Sequence, residues 1–294
     1  MEVSVIGHGS LMSGQGLSFS GTLQVKDASI VALAGCVRGF AKLSRYGNRF
    51  ATDVESQHWP LTGRAVAPTT KPNGEVEALA LTISLEDFSC LVKREGYSPV
   101  AMQQLATLAQ EHGKSLADFL WSIHEEVGHD RVAYCRRLWA LTGFTSPHYI
   151  PHPLRLGDGS CALIFLAPGL EGTGANEVIS VRQETGIQVV MNTSETWRQK
   201  PNEDQLTYFL SCLLGGVHGI NVRDLLMPVR EERTLAERLR EQLGQRLAVE
   251  REQFLSVTSL SREHYQRAFG DPETALERSG LTDFLSGEYE KRTA

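Results

Sequence analysis

Residues 5–17 read VIGHGSLMSGQGL. Val3, Val5 and Ile6 form an apolar run that breaks at Gly7, and a small polar corner follows at once, Gly7-His8-Gly9-Ser10-Leu11. Glycine reaches backbone conformations closed to other residues, and a tight turn can gather several backbone N–H groups into one concavity. The corner is therefore either an ordinary turn after a first strand or a cradle for an anionic group.

The sequence around this corner alternates between short apolar runs and turn residues. Strands are predicted near residues 3–6, 29–37, 62–67 and 77–83, with Lys71-Pro72-Asn73-Gly74 as a turn between the last two. Beyond Pro99 the apolar spacing becomes helical. Met102, Leu105, Leu108 and Ala109, then Leu116, Phe119, Leu120 and Ile123, then Val132, Cys135, Leu138 and Leu141 predict three helices punctuated by Gly113 and Gly128. Strands resume near 161–166, 178–180 and 187–191, and from Asn202 onward the pattern is helical. Leu235, Leu239, Leu243 and Leu247 recur every four residues. That spacing drifts by about 40° per step around an α-helix, so it makes no sustained heptad seam. The helix is expected to pack on its own domain, with a homodimer contact through the C-terminal helices as the alternative.

The bulk numbers exclude several classes. A chain of 294 residues that is 41% hydrophobic can fill a core. A net charge of -6 is the wrong sign for a phosphate-backbone binder, so no nucleic-acid partner is expected. The five cysteines are scattered without a CxxC or Cys/His cluster, which predicts neither a disulfide framework nor a zinc site. No apolar stretch approaches the roughly 20 residues that span a bilayer, and the N-terminus lacks an export signal. A cytoplasmic protein is expected, without metal or cofactor.

Four motifs fail on inspection. His124 and His129 lie five residues apart with Gly128 between them, whereas a zinc-protease helix needs histidines at i and i+4. Gly169 to Gly174 lacks the GK[ST] of a phosphate loop. Gly7-x-Gly9 lacks the third glycine of a dinucleotide fold, and no GxSxG elbow occurs.

The order of the remaining features is more informative. A GHGSL turn after the first strand, the strand Glu75 to Ser84, the short helical stretch 85–94 and the ending Glu95-Gly96-Tyr97 together resemble the gamma-glutamylcyclotransferase-like family. Gly35-Cys36-Val37-Arg38-Gly39-Phe40 is similar to its glycine-aromatic strand. Ala162 to Pro168 and Tyr208 to Ile220 look like the last strand and final helix of its glutathione-degrading branch. The resemblance covers roughly residues 3–97 and 160–226.

It implies an α+β fold, a small mixed β-barrel flanked by helices, over residues 1–226. A helical insertion at about 98–159 interrupts it, and a helical C-terminal extension, 227–294, packs on it. The implied reaction is attack of a gamma-glutamyl α-amine on its own γ-carbonyl, releasing 5-oxoproline and an amine from glutathione, a gamma-glutamyl amino acid or a gamma-glutamyl-protected intermediate. Glu95 lines up with the family's proton-carrying glutamate. Gly7, His8, Gly9, Ser10, Leu11 and Tyr97 are the implied substrate-binding residues, and His8 stands where the family commonly has tyrosine. Arg45, Tyr46 and Arg49 are candidates to meet a substrate carboxylate. Trp121, Trp139, Phe144 and Tyr149 of the insertion are candidates for a wall over the pocket. Two other readings remain: the same pocket performing another amide or acyl rearrangement or hydrolysis of a small acid, and a non-catalytic small-molecule binding protein.

Overall fold

The computed structural model describes residues 1–43, 64–144, 149–166, 178–181, 187–190, 206–229 and 233–287. The apolar run of the first strand, β1 (Glu2–Gly7), occupies the centre of a five-stranded sheet with β2 (Val25–Leu43), β3 (Arg64–Ser84), β4 (Ile150–Arg155) and β5 (Cys161–Leu166) in the order β2-β3-β1-β5-β4. It pairs antiparallel with β3, from Glu2 opposite Ser84 to Gly7 opposite Leu79, and parallel with β5 at Val5 and Ile6.

Successive side chains point to opposite faces of a strand, and here both faces are covered. Val3 and Val5 join Leu79, Leu81, Ile83, Leu163 and Phe165 in the main core, while Ile6 joins Ala78, Ala80, Ala162 and Ile164 in a smaller cluster on the other face. That is why the strand reads as continuous apolar sequence rather than as alternation.

Two sequence expectations change here. The chain makes no turn at Lys71-Pro72-Asn73-Gly74. β3 runs unbroken, and because Ala34 pairs with Glu75 while Cys36 pairs with Thr70, residues 71–74 bulge opposite Gly35, with Asn73 in the left-handed region at φ 61°. The expected small mixed β-barrel is instead an open mixed sheet whose edges, among the described strands, are β2 and β4. The coarser expectation, an α+β fold, holds.

The three helices predicted after Pro99 follow α1 (Gly14–Leu17) and α2 (Leu85–Arg94): α3 (Pro99–Glu111), α4 (Leu116–Glu126) and α5 (Arg131–Thr142). Each of α2 to α5 starts on a side-chain cap, Ser84, Ser98, Ser115 and Asp130, which accepts a backbone N–H of the first turn. The segment expected as a helical insertion to about residue 159 also contains β4, an unexpected strand. Pro151 and Pro153 argue against a central strand, and β4 is an edge. Helices of the insertion cover that edge, with the Tyr134 hydroxyl donating to the Pro151 carbonyl at 3.0 Å.

The later segments comprise β6 (Val178–Val181) and β7 (Ile187–Val190), paired with each other, then α6 (Leu206–Leu213), α7 (Arg223–Leu226), α8 (Arg233–Thr258), α9 (Arg262–Phe269), α10 (Pro272–Ser279) and α11 (Leu281–Leu285). As expected, α8 packs on its own chain: Ala236, Leu239, Leu243 and Phe254 are fully buried. No helix among the described residues is long and apolar enough to cross a membrane.

His152 of β4 sits 4.5 Å from the ring of His124, which is itself 4.7 Å from His129. Its Nδ1 donates to the Pro153 carbonyl at 2.9 Å. Burial, and then the charge of Arg131 and the neighbouring His124, hold the His152 pKa well below the usual imidazole value. The folded state therefore refuses a proton that the unfolded chain accepts, so this stabilisation is present above the unfolded pKa and is lost as pH falls through about 6.5. Urea unfolding of the wild type should show stability falling from pH 7 to pH 5, by up to about 1.4 kcal/mol per pH unit for one such group. His152→Gln should flatten that slope.

Candidate active site

The corner that opens the sequence is packed on all sides. After β1 the chain makes a single 3-10 turn, Ser10–Met12, and then the four-residue α1, whose cap Ser13 accepts the N–H of Gly16 at 3.1 Å. The glycines serve close approach. A Cβ on Gly7 would lie 2.8 Å from the Leu11 Cβ, one on Gly16 would overlap the Ser10 carbonyl, and one on Gly14 would overlap the backbone of Phe254 in α8. His8, Ser10, Leu11 and Met12 are buried, so the corner is not the solvent-open cradle that its glycines first indicate. His8 Nε2 lies 3.1 Å from the Phe165 carbonyl, which ties the corner to β5.

Glu95 reaches this corner through the end of α2. It is the C-cap residue of that helix; Gly96, at φ 78°, and Tyr97 follow it. The Gly96 N–H bonds the Lys93 carbonyl at 3.2 Å and the Tyr97 N–H bonds that of Val92 at 3.0 Å, the paired closure of a Schellman motif. Glu-Gly-Tyr is thus a helix stop in which glycine supplies the left-handed residue and tyrosine the apolar plug.

The preceding residue makes the connection. Arg94 Nη2 donates to Ser10 Oγ at 2.7 Å, and its Nε lies 3.4 Å from Glu95 Oε1. Both side chains are largely enclosed, with exposures of 7% for Arg94 and 13% for Glu95. One guanidinium therefore joins the carboxylate to the turn.

Tyr149 lies just before β4. Burial pushes its hydroxyl pKa far above the ordinary phenol value, and the Glu95 charge adds to that shift while Arg94 opposes it. The residue that follows it, Ile150, pairs with Leu166, next to the Phe165 carbonyl that meets His8.

Other expected residues lie elsewhere. Tyr97 is buried with its ring edge-on to Phe144 at 5.1 Å, and burial raises its hydroxyl pKa. It faces the core of α5 rather than the corner. Trp121 lies under Arg155, whose guanidinium carbon is 5.0 Å from its ring, and Trp139 is exposed. Arg45, Tyr46 and Arg49 lie outside the described residues. Among the described residues, no group of three or more His, Cys, Asp or Glu is placed to hold a metal ion.

Sequence reasoning missed Arg94, although it adjoins Glu95, because an arginine in the last turn of a helix is ordinarily read as balancing the helix dipole. It also missed the support beneath the turn. Arg38 of β2 is fully buried, with Nε and Nη2 paired to the two Asp224 oxygens at 2.9 and 3.0 Å and Nη1 at 3.0 Å from the Met12 sulfur. Its remaining contacts are the carbonyls of Glu77 and Asn221.

In comparisons with known proteins, no family model, no curated protein and no solved structure matches the chain.

The buried pair under the turn yields a direct test. Asp224→Ala leaves the Arg38 guanidinium enclosed without its carboxylate, and breaking a buried pair in this way costs about 3–5 kcal/mol. Equilibrium urea unfolding should register a loss of that order. A change near zero would mean that the carbonyls of Glu77 and Asn221 already satisfy the arginine.

Proposed function

We propose that the chain is a gamma-glutamyl cyclotransferase-type lyase acting on a small gamma-glutamyl amide. The observation that carries this reading is the Arg94 bridge, which sets the Glu95 carboxylate against the glycine corner after β1. A guanidinium and a carboxylate side by side complement the carboxylate and ammonium of an α-amino acid head group.

The chemistry follows from that placement. Glu95 takes a proton from the substrate α-ammonium, and the amine so formed attacks the γ-carbonyl carbon of the same molecule. A new C–N bond closes the five-membered ring. The proton passes from Glu95 to the departing nitrogen, the carbonyl re-forms as the original amide bond breaks, and the ring nitrogen gives up its second proton to the carboxylate so freed, which returns it to solvent; 5-oxoproline and an amine leave. Nucleophile and electrophile share one molecule, so folding the substrate correctly supplies much of the rate; the best intramolecular orientations contribute about 7–11 kcal/mol.

The test is 5-oxoproline release from a panel comprising glutathione, gamma-glutamyl amino acids and gamma-glutamyl amines. Glu95→Gln keeps the side-chain shape and removes the base, so kcat/KM should fall by about 10²–10⁴-fold while ligand binding persists. Firm binding without turnover in either form would instead support a binding protein.

A further inference from the structure

We propose that Glu250, in the C-terminal helix α8, is a positioning residue for the candidate site, acting through α1 and the Ser10–Ser13 turn. The proposal rests on the reading that this turn holds substrate.

Glu250 is almost completely buried. Its Oε1 accepts from the Gly14 N–H and from His218 Nε2 at 3.1 Å, and its Oε2 accepts from the Gln15 N–H at 3.4 Å. A carboxylate only accepts, so Nε2 donates in that contact, and Nδ1 lies 2.7 Å from the Tyr265 hydroxyl. His218 and Tyr265 are themselves buried among Phe254 and Phe269. Enclosing a carboxylate this deeply is costly unless donors surround it. A helix that merely packed on the domain would be served by an apolar residue at this position, as it is at Leu239 and Leu243.

The donors indicate what the carboxylate is for. Two of them are backbone amides of α1, a helix of only four residues with glycine at Gly14 and Gly16, held within its own segment by the Ser13 cap alone. The position of that helix must be imposed from outside. Gly14 lies against the backbone of Phe254, one turn beyond Glu250, and Gly16 lies against the Ser10 carbonyl. Arg246 adds a second hold, its Nη1 donating to Gln15 Oε1 at 2.8 Å. A shift of α1 therefore moves Ser10, and Ser10 Oγ receives Arg94, the partner of Glu95. The site's geometry is set from a residue 236 positions away from Gly14 in sequence.

The experiment compares wild type, Glu250→Gln and Tyr265→Phe in two measurements: steady-state 5-oxoproline release and amide hydrogen exchange over residues 8–17. Glu250→Gln keeps the side-chain volume but turns one acceptor into a donor facing other donors. It should raise KM by about 10–100-fold, the penalty for displacing a site by an ångström or so, with kcat changed far less. Exchange should quicken at residues 10–17 while β1 and β3 stay protected. Tyr265→Phe, which removes only the outer partner of His218, should move both readouts in the same direction by less. Wild-type KM and wild-type exchange in Glu250→Gln would overturn the proposal, as would exchange that quickens uniformly across the sheet, the mark of a purely global stabilising role. If wild type itself releases no 5-oxoproline, the functional reading falls and exchange alone decides the positioning. If Glu250→Gln does not fold, Tyr265→Phe decides it.

Discussion

The segment between Gly7 and Leu17 cannot hold itself in place. Four of its eleven residues are glycine, its 3-10 turn closes on a bond from the Met12 N–H to the Gly9 carbonyl, and its helix is a single turn. Glycine brings no side chain to pack and loses the most freedom on ordering. Yet the missing Cβ atoms admit close neighbours, Leu11 at Gly7, the Ser10 carbonyl at Gly16 and, from α8, the Phe254 backbone at Gly14, and the contacts so gained define the corner. Everything near it converges on this gap: β5 through His8, α2 through Arg94, β2 and α7 through Arg38 under Met12, and α8 through Glu250.

These contacts differ in kind. Those of His8 and Arg94 end on atoms of the candidate site, whereas those of Arg38 and Glu250 lie behind it and are fully enclosed. A charge taken out of water raises the cost of any arrangement that leaves it unpaired. Two such groups holding one short, glycine-rich segment therefore specify its position more sharply than apolar packing, which tolerates sliding.

Local chemistry was largely legible. The helical spacing from Met102 to Leu141 and the apolar run Cys161 to Leu166 each gave an element close to its observed bounds, because periodicity acts over a few residues. β4 was hidden by Pro151 and Pro153, whose missing N–H groups are harmless only because that strand lies at an edge, a fact of topology rather than of local sequence. The bulge at residues 71–74 carries the residues of a turn, and only the pairing of Ala34 and Cys36 across it shows that the strand continues. In the candidate site, Glu95 and the glycine corner were singled out by the family resemblance that their order along the chain carries. Arg38 with Asp224 and His218 with Glu250 were not, since pairings across such sequence distances leave no periodic trace.

The bond between Glu250 and the Gly14 amide also has a temporal meaning. During synthesis, β1 and the corner after it leave the ribosome well before Glu250, whose carboxylate satisfies α1 from 236 positions further along the chain than Gly14. Contacts of such separation form late, after their loop-closure entropy has been met. The strands of the sheet and the helices that precede α8 can thus assemble while the corner after β1 is still unsettled, and its arrangement is completed only once α8 has been made.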